Sequence, residues 1–197
     1  MTDNEKIHKS PKGARRFDIL KAMVSLLQQE GRKKITTKSL ASHIGLSEAA
    51  LYRHFASKAQ MYDSLLESVE SSLISLINQI EFSENSGLFQ AESITASLML
   101  LPNEQPGIVI LLVGDFLANE DPRLQSRISL IFDKLKARIK QSLRTAQLQK
   151  EVTEDYDVEL RSQVLLSTIL GHWLMFCRSN LLPEQTQIFD EIKLILR

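Results

Sequence analysis

Apolar residues recur at steps of three and four along almost the whole chain, and no stretch alternates apolar with polar residues as a half-buried strand does. The pattern predicts an all-α protein. A first helix is expected over residues 14–30, with Phe17, Leu20, Val24 and Leu27 as its inward stripe and Gly31 closing it. A long helix over 58–80 carries Met61, Leu65, Val69, Leu73, Leu76 and Ile80. Another over 125–145 sets Ile128, Ile131, Leu135, Ile139 and Leu143 on one stripe, with Lys134, Lys136, Arg138 and Lys140 near or opposite it. The last two helices, near 158–178 and 184–197, hold Leu160, Val164, Leu170, Leu174, Ile188, Ile192 and Ile195. Turn-forming residues put loops near 83–87, at Pro102 to Pro106, at Asn119 to Pro122 and at Thr153 to Asp157, so the chain beyond residue 80 reads as five or six helices.

Between the first helix and the long one lies ITTKSLASHIGLSEAALYRHFASK. Thr36 or Thr37 can cap a short helix with Leu40, Ala41 and Ile44 inward, Gly45 supplies the positive φ of a tight turn, and Ser47 caps a second short helix. Two short helices around a glycine-centred turn are the signature of a helix-turn-helix. In the second of them Ala50 and Leu51 face inward, which leaves Glu48, Ala49, Tyr52 and Arg53 outward; the small Ala49 would let the helix sit deep in a groove. Ser57 opens a capping box, with Gln60 at its third position, for the long helix.

Composition leaves this picture unchanged. Of 197 residues, 43% are apolar and 24% charged, which excludes a disordered or collagen-like chain. Cys177 is the one cysteine, which excludes an intramolecular disulfide framework or a cysteine-based zinc site and points to a reducing compartment. The apolar run Ile108 to Val113 is far short of the ~20 residues of a membrane span, and MTDNEKIHKSPKGARR has no apolar signal core, so a cytoplasmic location without membrane contact is expected.

Charge does alter the picture. The net charge is zero, yet residues 1–60 hold 12 Lys and Arg against 5 Asp and Glu, and residues 61–197 hold 12 against 19: +7 and −7. A basic head on an acidic body is the layout of a nucleic-acid-binding module joined to a part with another task. Residues 1–13 read as a flexible basic arm with Lys6, Lys9 and Lys12, followed by Arg15 and Arg16. The cations of helix 125–145 read as a solvated face rather than a second nucleic-acid surface.

These residue types suggest roles. A two-turn helix is ~10 Å long, so only its first and outward residues reach base edges in a major groove about 12 Å wide. Ser47, Glu48, Ala49, Ala50 and Tyr52 are the candidates, with Arg53 beside them and Ala49 or Ala50 suited to a thymine methyl. Thr36, Thr37 and Lys38 start the preceding helix, where N–H groups and hydroxyls face the sugar-phosphate chain, and Lys58 does the same from the long helix. Tyr52 and His54 are assigned to phosphates, and Phe55 to the core. No paired carboxylates, metal-ligand cluster or phosphate loop appears, and His172 lies five positions before Cys177 on another helix face; no enzyme activity, catalytic residue, metal or cofactor is expected.

The run Ile35 to Lys58, above all LYRHFASK at Leu51 to Lys58, resembles the DNA-binding domain of the TetR family of bacterial regulators: an aromatic, a basic ring and a basic cap within eight residues join recognition helix to connecting helix. The resemblance implies a three-helix helix-turn-helix domain at 14–60 behind the 1–13 arm, then a helical dimerisation and regulatory body at 61–197. It also implies a homodimer paired through the last two helices. Two recognition helices ~34 Å apart would then read a palindrome in double-stranded DNA. SEAALYRHF, Pro106-Gly107 with its apolar helix, and RLQSRISLIFDKLKARIKQSLR at Arg123 to Arg144 are most similar to the nucleoid-occlusion branch of that family in gammaproteobacteria. That branch implies a nucleoid-associated inhibitor of division-ring assembly that binds the C-terminal tail of the tubulin-like cell-division protein FtsZ, in a groove between the long helix and the next. Where the branch lines this groove with arginines, the chain carries Leu76 and Glu104, which removes charge-assisted partners and reverses the local field. The alternative is a ligand-responsive transcriptional repressor with a small-molecule pocket lined by Leu98, Leu112, Phe116, Phe132 and Trp173. A filled core with an exposed groove beside residues 65–76 would favour the peptide role.

Overall fold

The computed structural model describes residues 12–30, 35–114, 117, 121–182 and 184–197, and among them it contains nine helices and no strand. Residues 1–11, most of the expected arm, and the closing Gly31 lie outside the described residues.

The head starts with α1 (Lys12–Glu30), two residues earlier than the periodicity suggests. Its buried face is Ile19, Met23, Leu26 and Leu27, with Leu20 and Val24 partly buried. Phe17, expected inward, is 52% exposed and lies under the Lys21 ammonium. Helix α2 (Thr37–His43) opens on a reciprocal box in which the Thr36 hydroxyl accepts from the Ser39 N–H and the Ser39 hydroxyl from the Thr36 N–H. Gly45, at φ +65°, turns the chain into α3 (Glu48–Tyr52), whose cap Ser47 accepts from the Ala50 N–H. At five residues, α3 is shorter than the two turns expected.

Helix α4 (Lys58–Ser83) runs unbroken from the head into the body. Ser57 caps it, and the Gln60 carboxamide reaches back to the Ala56 N–H at 2.6 Å, one residue earlier than a standard box. Its buried stripe is Met61, Leu65, Val69, Leu73 and Ile77; Leu76 and Ile80 lie at the margin. The body adds α5 (Gly87–Glu104), α6 (Pro106–Val113), α7 (Pro122–Leu148), α8 (Val158–Ser179) and α9 (Gln185–Leu196). Helix α5 lies at the centre, in contact with α4 and with α6 to α9.

The expected loop at Pro102 to Pro106 shrinks to Gln105, where the chain turns by 105° into α6. Pro102 therefore sits inside α5 and cannot donate to the carbonyl four residues back, that of Leu98. The indole N–H of buried Trp173 on α8 takes the vacant place, 2.7 Å from the Leu98 oxygen. A buried carbonyl without a donor would cost about 1–3 kcal/mol, so this bond is what lets the proline stay in the core. Tyr156 closes the far end by donating to the Leu196 carbonyl at 3.1 Å, with Arg161 over its ring.

Candidate nucleic-acid interface

The two capped helix starts of the head face solvent. Thr36, Lys38, Ser47, Glu48, Ala49, Tyr52 and Arg53 are exposed, and Thr37, Ala50, His54 and Lys58 are partly so. Leu51 and Phe55, between them in sequence, are buried at 0% and 1% exposure. The capping oxygens hold the first N–H groups of α2 and α3 in fixed directions, which is what a phosphate or a base edge needs of a binding surface.

Two contacts were invisible in the sequence. The Thr37 hydroxyl donates to the Glu48 carboxylate at 2.6 Å and ties the start of α2 to the start of α3. Eleven residues separate the pair, a spacing no local pattern flags. Arg16, grouped with the basic arm by sequence, points instead into the head: it donates to the His54 carbonyl at 2.5 Å and to the Ser64 hydroxyl at 3.3 Å, with its guanidinium 4.2 Å from the centre of the Phe55 ring. It fastens α1 to the end of the recognition segment. Lys58 lies 5.4 Å from the centre of the Tyr62 ring, so part of its stem is set by the body.

The cations of α7 are employed differently. Glu70 on α4 pairs with Arg127 at 3.1 Å and with Lys134, Glu81 pairs with Arg138, and Glu159 on α8 pairs with Lys136 at 2.7 Å and with Lys140. The solvated face expected on α7 is thus a belt of ion pairs to its neighbours. Hydrogen bonds from the two lysines bring the Glu159 carboxyl down to about 2.

Residues 19–65 match the model for bacterial regulatory proteins of the tetR family, and residues 85–197 match that for the tetracyclin repressor-like, C-terminal domain of SlmA-like proteins. The chain belongs to the TetR family. Over 182 residues it is 40% identical to nucleoid occlusion factor SlmA of Shewanella sp. (strain MR-4) and 38% identical to that of Shewanella sediminis, covering 92% of each chain in both pairs. A TetR transcription regulator from Haloarcula marismortui shares the fold at TM-score 0.80 and 17% identity, over 93% of this chain and 97% of that one. One from Agrobacterium tumefaciens does so at 0.79 and 13%, over 94% and 97%. The protein is a TetR-type DNA-binding regulator resembling the nucleoid occlusion factors, and not an enzyme.

The body of this TetR-family chain has three further features. On α4, Ser68, Ser71, Ser72, Ser75, Leu76 and Gln79 form an uncharged open face with no lining residue from α5, and Glu104 is exposed at the end of α5. Of the five residues named for a ligand pocket, Leu98, Leu112 and Trp173 are buried, Phe132 is partly buried with its ring centre 6.4 Å from that of Trp173, and Phe116 lies outside the described residues. Helices α8 and α9 carry exposed Leu160, Val164, Leu174, Met175 and Leu194 beside a hollow of about 440 Å³ at Gly171 and His172. There His172 Nε2 sits 2.6 Å from Glu191. Burial pushes the Glu191 carboxyl up, and hydrogen bonds from His172 and Gln187 outweigh it, leaving the group below the usual carboxylate range. Among the described residues no single helix is long and apolar enough to cross a membrane.

Proposed function

We propose that the chain acts as a homodimer whose two heads, residues 14–60 behind the 1–13 arm, bind the half-sites of a palindrome, while the body at 61–197 dimerises and carries the regulatory contact. The observation that carries this reading is the contrast in the cations: Lys38 and Arg53 are exposed and form no ion pair among the described residues, whereas Arg127, Lys134, Lys136, Arg138 and Lys140 of α7 each pair with a glutamate. The apolar residues left outward on α8 and α9 support the dimer. In this reading Ser47, Glu48, Ala49 and Ala50 meet base edges, and Thr36, Thr37, Lys38, Tyr52, Arg53, His54 and Lys58 meet the backbone. Fluorescence anisotropy against salt tests it: Lys58→Ala and Thr37→Ala should weaken binding to every sequence, Lys58→Ala lowering the salt slope by about one counterion, whereas Glu48→Ala should change the preferred sequence. Unchanged affinity of Lys58→Ala at every salt concentration would contradict the backbone assignment.

The similarity to nucleoid occlusion factors over nearly the whole chain supports a cytoplasmic, nucleoid-associated protein that acts on division, with the tail of FtsZ as partner on the open α4 face. With Leu76 and Glu104 where the branch has arginines, the serine hydroxyls of this α4 face would hold that tail. A pull-down of the tail by the DNA-bound dimer tests this; no capture at high micromolar concentration leaves the DNA-binding regulator alone. The alternative, a ligand-responsive repressor, would need a cavity to open among Leu98, Leu112, Phe132 and Trp173, which are buried or partly buried in an apolar interior. A rise in melting temperature with an apolar ligand, abolished by Phe132→Ala, would support it.

A further inference from the structure

We propose that Gly107 fixes the seat of the DNA-binding head on the body, and through it the half-site spacing the dimer accepts; this rests on the homodimer reading above. The head joins the body by two supports. One is α4, continuous through both. The other is the start of α6 against α1, a more extensive packing than that of α1 on α4.

At this second support the chains touch backbone to backbone. A Cβ on Gly107 would lie 2.4 Å from the Val24 carbonyl oxygen and 2.8 Å from Val24 Cγ1. The nearer atom belongs to the main chain, so no rotamer relieves the overlap; α1 itself must retreat. Restoring an ordinary separation of ~3.5 Å requires a shift of about 1 Å.

That shift would not stay in α1. Arg16 binds α1 to the His54 carbonyl and covers the Phe55 ring, directly after the recognition helix, and α1 also packs on α2. Recognition helix and α1 therefore move as one piece. The body does not follow, because α6 is anchored behind: it leaves α5 at the Gln105 turn, just beyond the stretch of α5 that Trp173 holds at Leu98, and packs on α8. A methyl group at residue 107 becomes a tilt of each head, in opposite senses across a two-fold axis. A single head on one half-site is indifferent to such a tilt, whereas two heads bound at once are not.

The test uses the full-length dimer and a palindrome that the wild-type protein selects from a random-sequence duplex pool. Its relatives are the same duplex with one half-site scrambled and two duplexes with the spacer changed by one base pair either way. Gly107→Ala should lose about tenfold on the palindrome, stay within about twofold of wild type on the scrambled duplex, and recover on one respaced duplex. Val24→Ile, which keeps the β-branch and adds a methyl to the Cγ1 that faces residue 107, should repeat the pattern and decides the matter if Gly107→Ala does not fold by circular dichroism. Equal losses on palindrome and scrambled duplex, or an unchanged spacing optimum in the folded variants, overturn the role of Gly107 alone. A wild-type protein that prefers no spacing overturns the homodimer reading and this inference with it.

Discussion

The head and α7 both carry clusters of cations, and the two clusters are used differently. On α7, Arg127, Lys134, Lys136, Arg138 and Lys140 each face a glutamate of α4 or α8, so their charge is spent on holding helices together. In the head, Arg16 is likewise used internally, but Lys38 and Arg53 are exposed and form no ion pair among the described residues, while the nearby carboxylate of Glu48, at the start of α3, is tied to Thr37. The cation count of a region is therefore a poor guide to binding until the pairs have been subtracted. Pairing leaves the body's net charge at −7 against +7 in the head, and that asymmetry orients the head toward a polyanion.

The hardest test of this contrast removes cations from each region. Lys38→Ala with Arg53→Ala should weaken DNA binding by about tenfold or more near 0.15 M salt and lower the salt slope by roughly two counterions, whereas Lys136→Ala with Lys140→Ala should leave both nearly as they were. Anisotropy titrations at several salt concentrations read both variants. The next effect probes the body's interior. Trp173→Phe should destabilise the protein by about 1–3 kcal/mol in denaturant, and less in a Pro102→Ala background, where a restored N–H can reach the Leu98 carbonyl. Thr36→Ala, which removes the cap of α2, should cost about 1 kcal/mol and weaken DNA binding in proportion to the head's loss of order. The smallest effect is in acid. The Glu159 carboxyl is held at about 2, below its unfolded value, so its pairing stabilises the body above pH ~4.5 and is lost as pH falls through about 2. Melting temperature should hold level from pH 8 to 5 and drop below it, and Glu159→Gln should shrink that drop.

Legibility in the sequence divides along the same line. Caps and turns could be read directly, because a serine, a threonine or a glycine acts on the backbone within three residues: Thr36, Gly45, Ser47 and Ser57 all do what their positions suggest. The stripe of α7 was legible too, since one strongly apolar face opposes a charged one. Helix α1 was not, because apolar residues occupy two of its faces, and α6, which lies 80 residues away and covers one of them, chooses between Phe17 and Ile19. Pro102 looked like a loop residue because the donor that excuses it, Trp173, comes 71 positions later. Arg16 was grouped with the basic arm and Thr37 with the DNA contacts on composition and position, and their partners within the head emerge only in three dimensions.

The bond between Trp173 and Leu98 also gives the molecule a built-in optical label. Trp173 is the only tryptophan in the chain, fully buried, and its one polar atom is bound to the carbonyl of Leu98, in the last turns of α5 before the elbow from which α6 departs toward the head. Its ultraviolet emission reports on that elbow alone, with no competing indole elsewhere. A colour shift when duplex DNA is added would mean that events at the double helix are felt at this point in the interior, and it can be followed in stopped flow on the untouched protein.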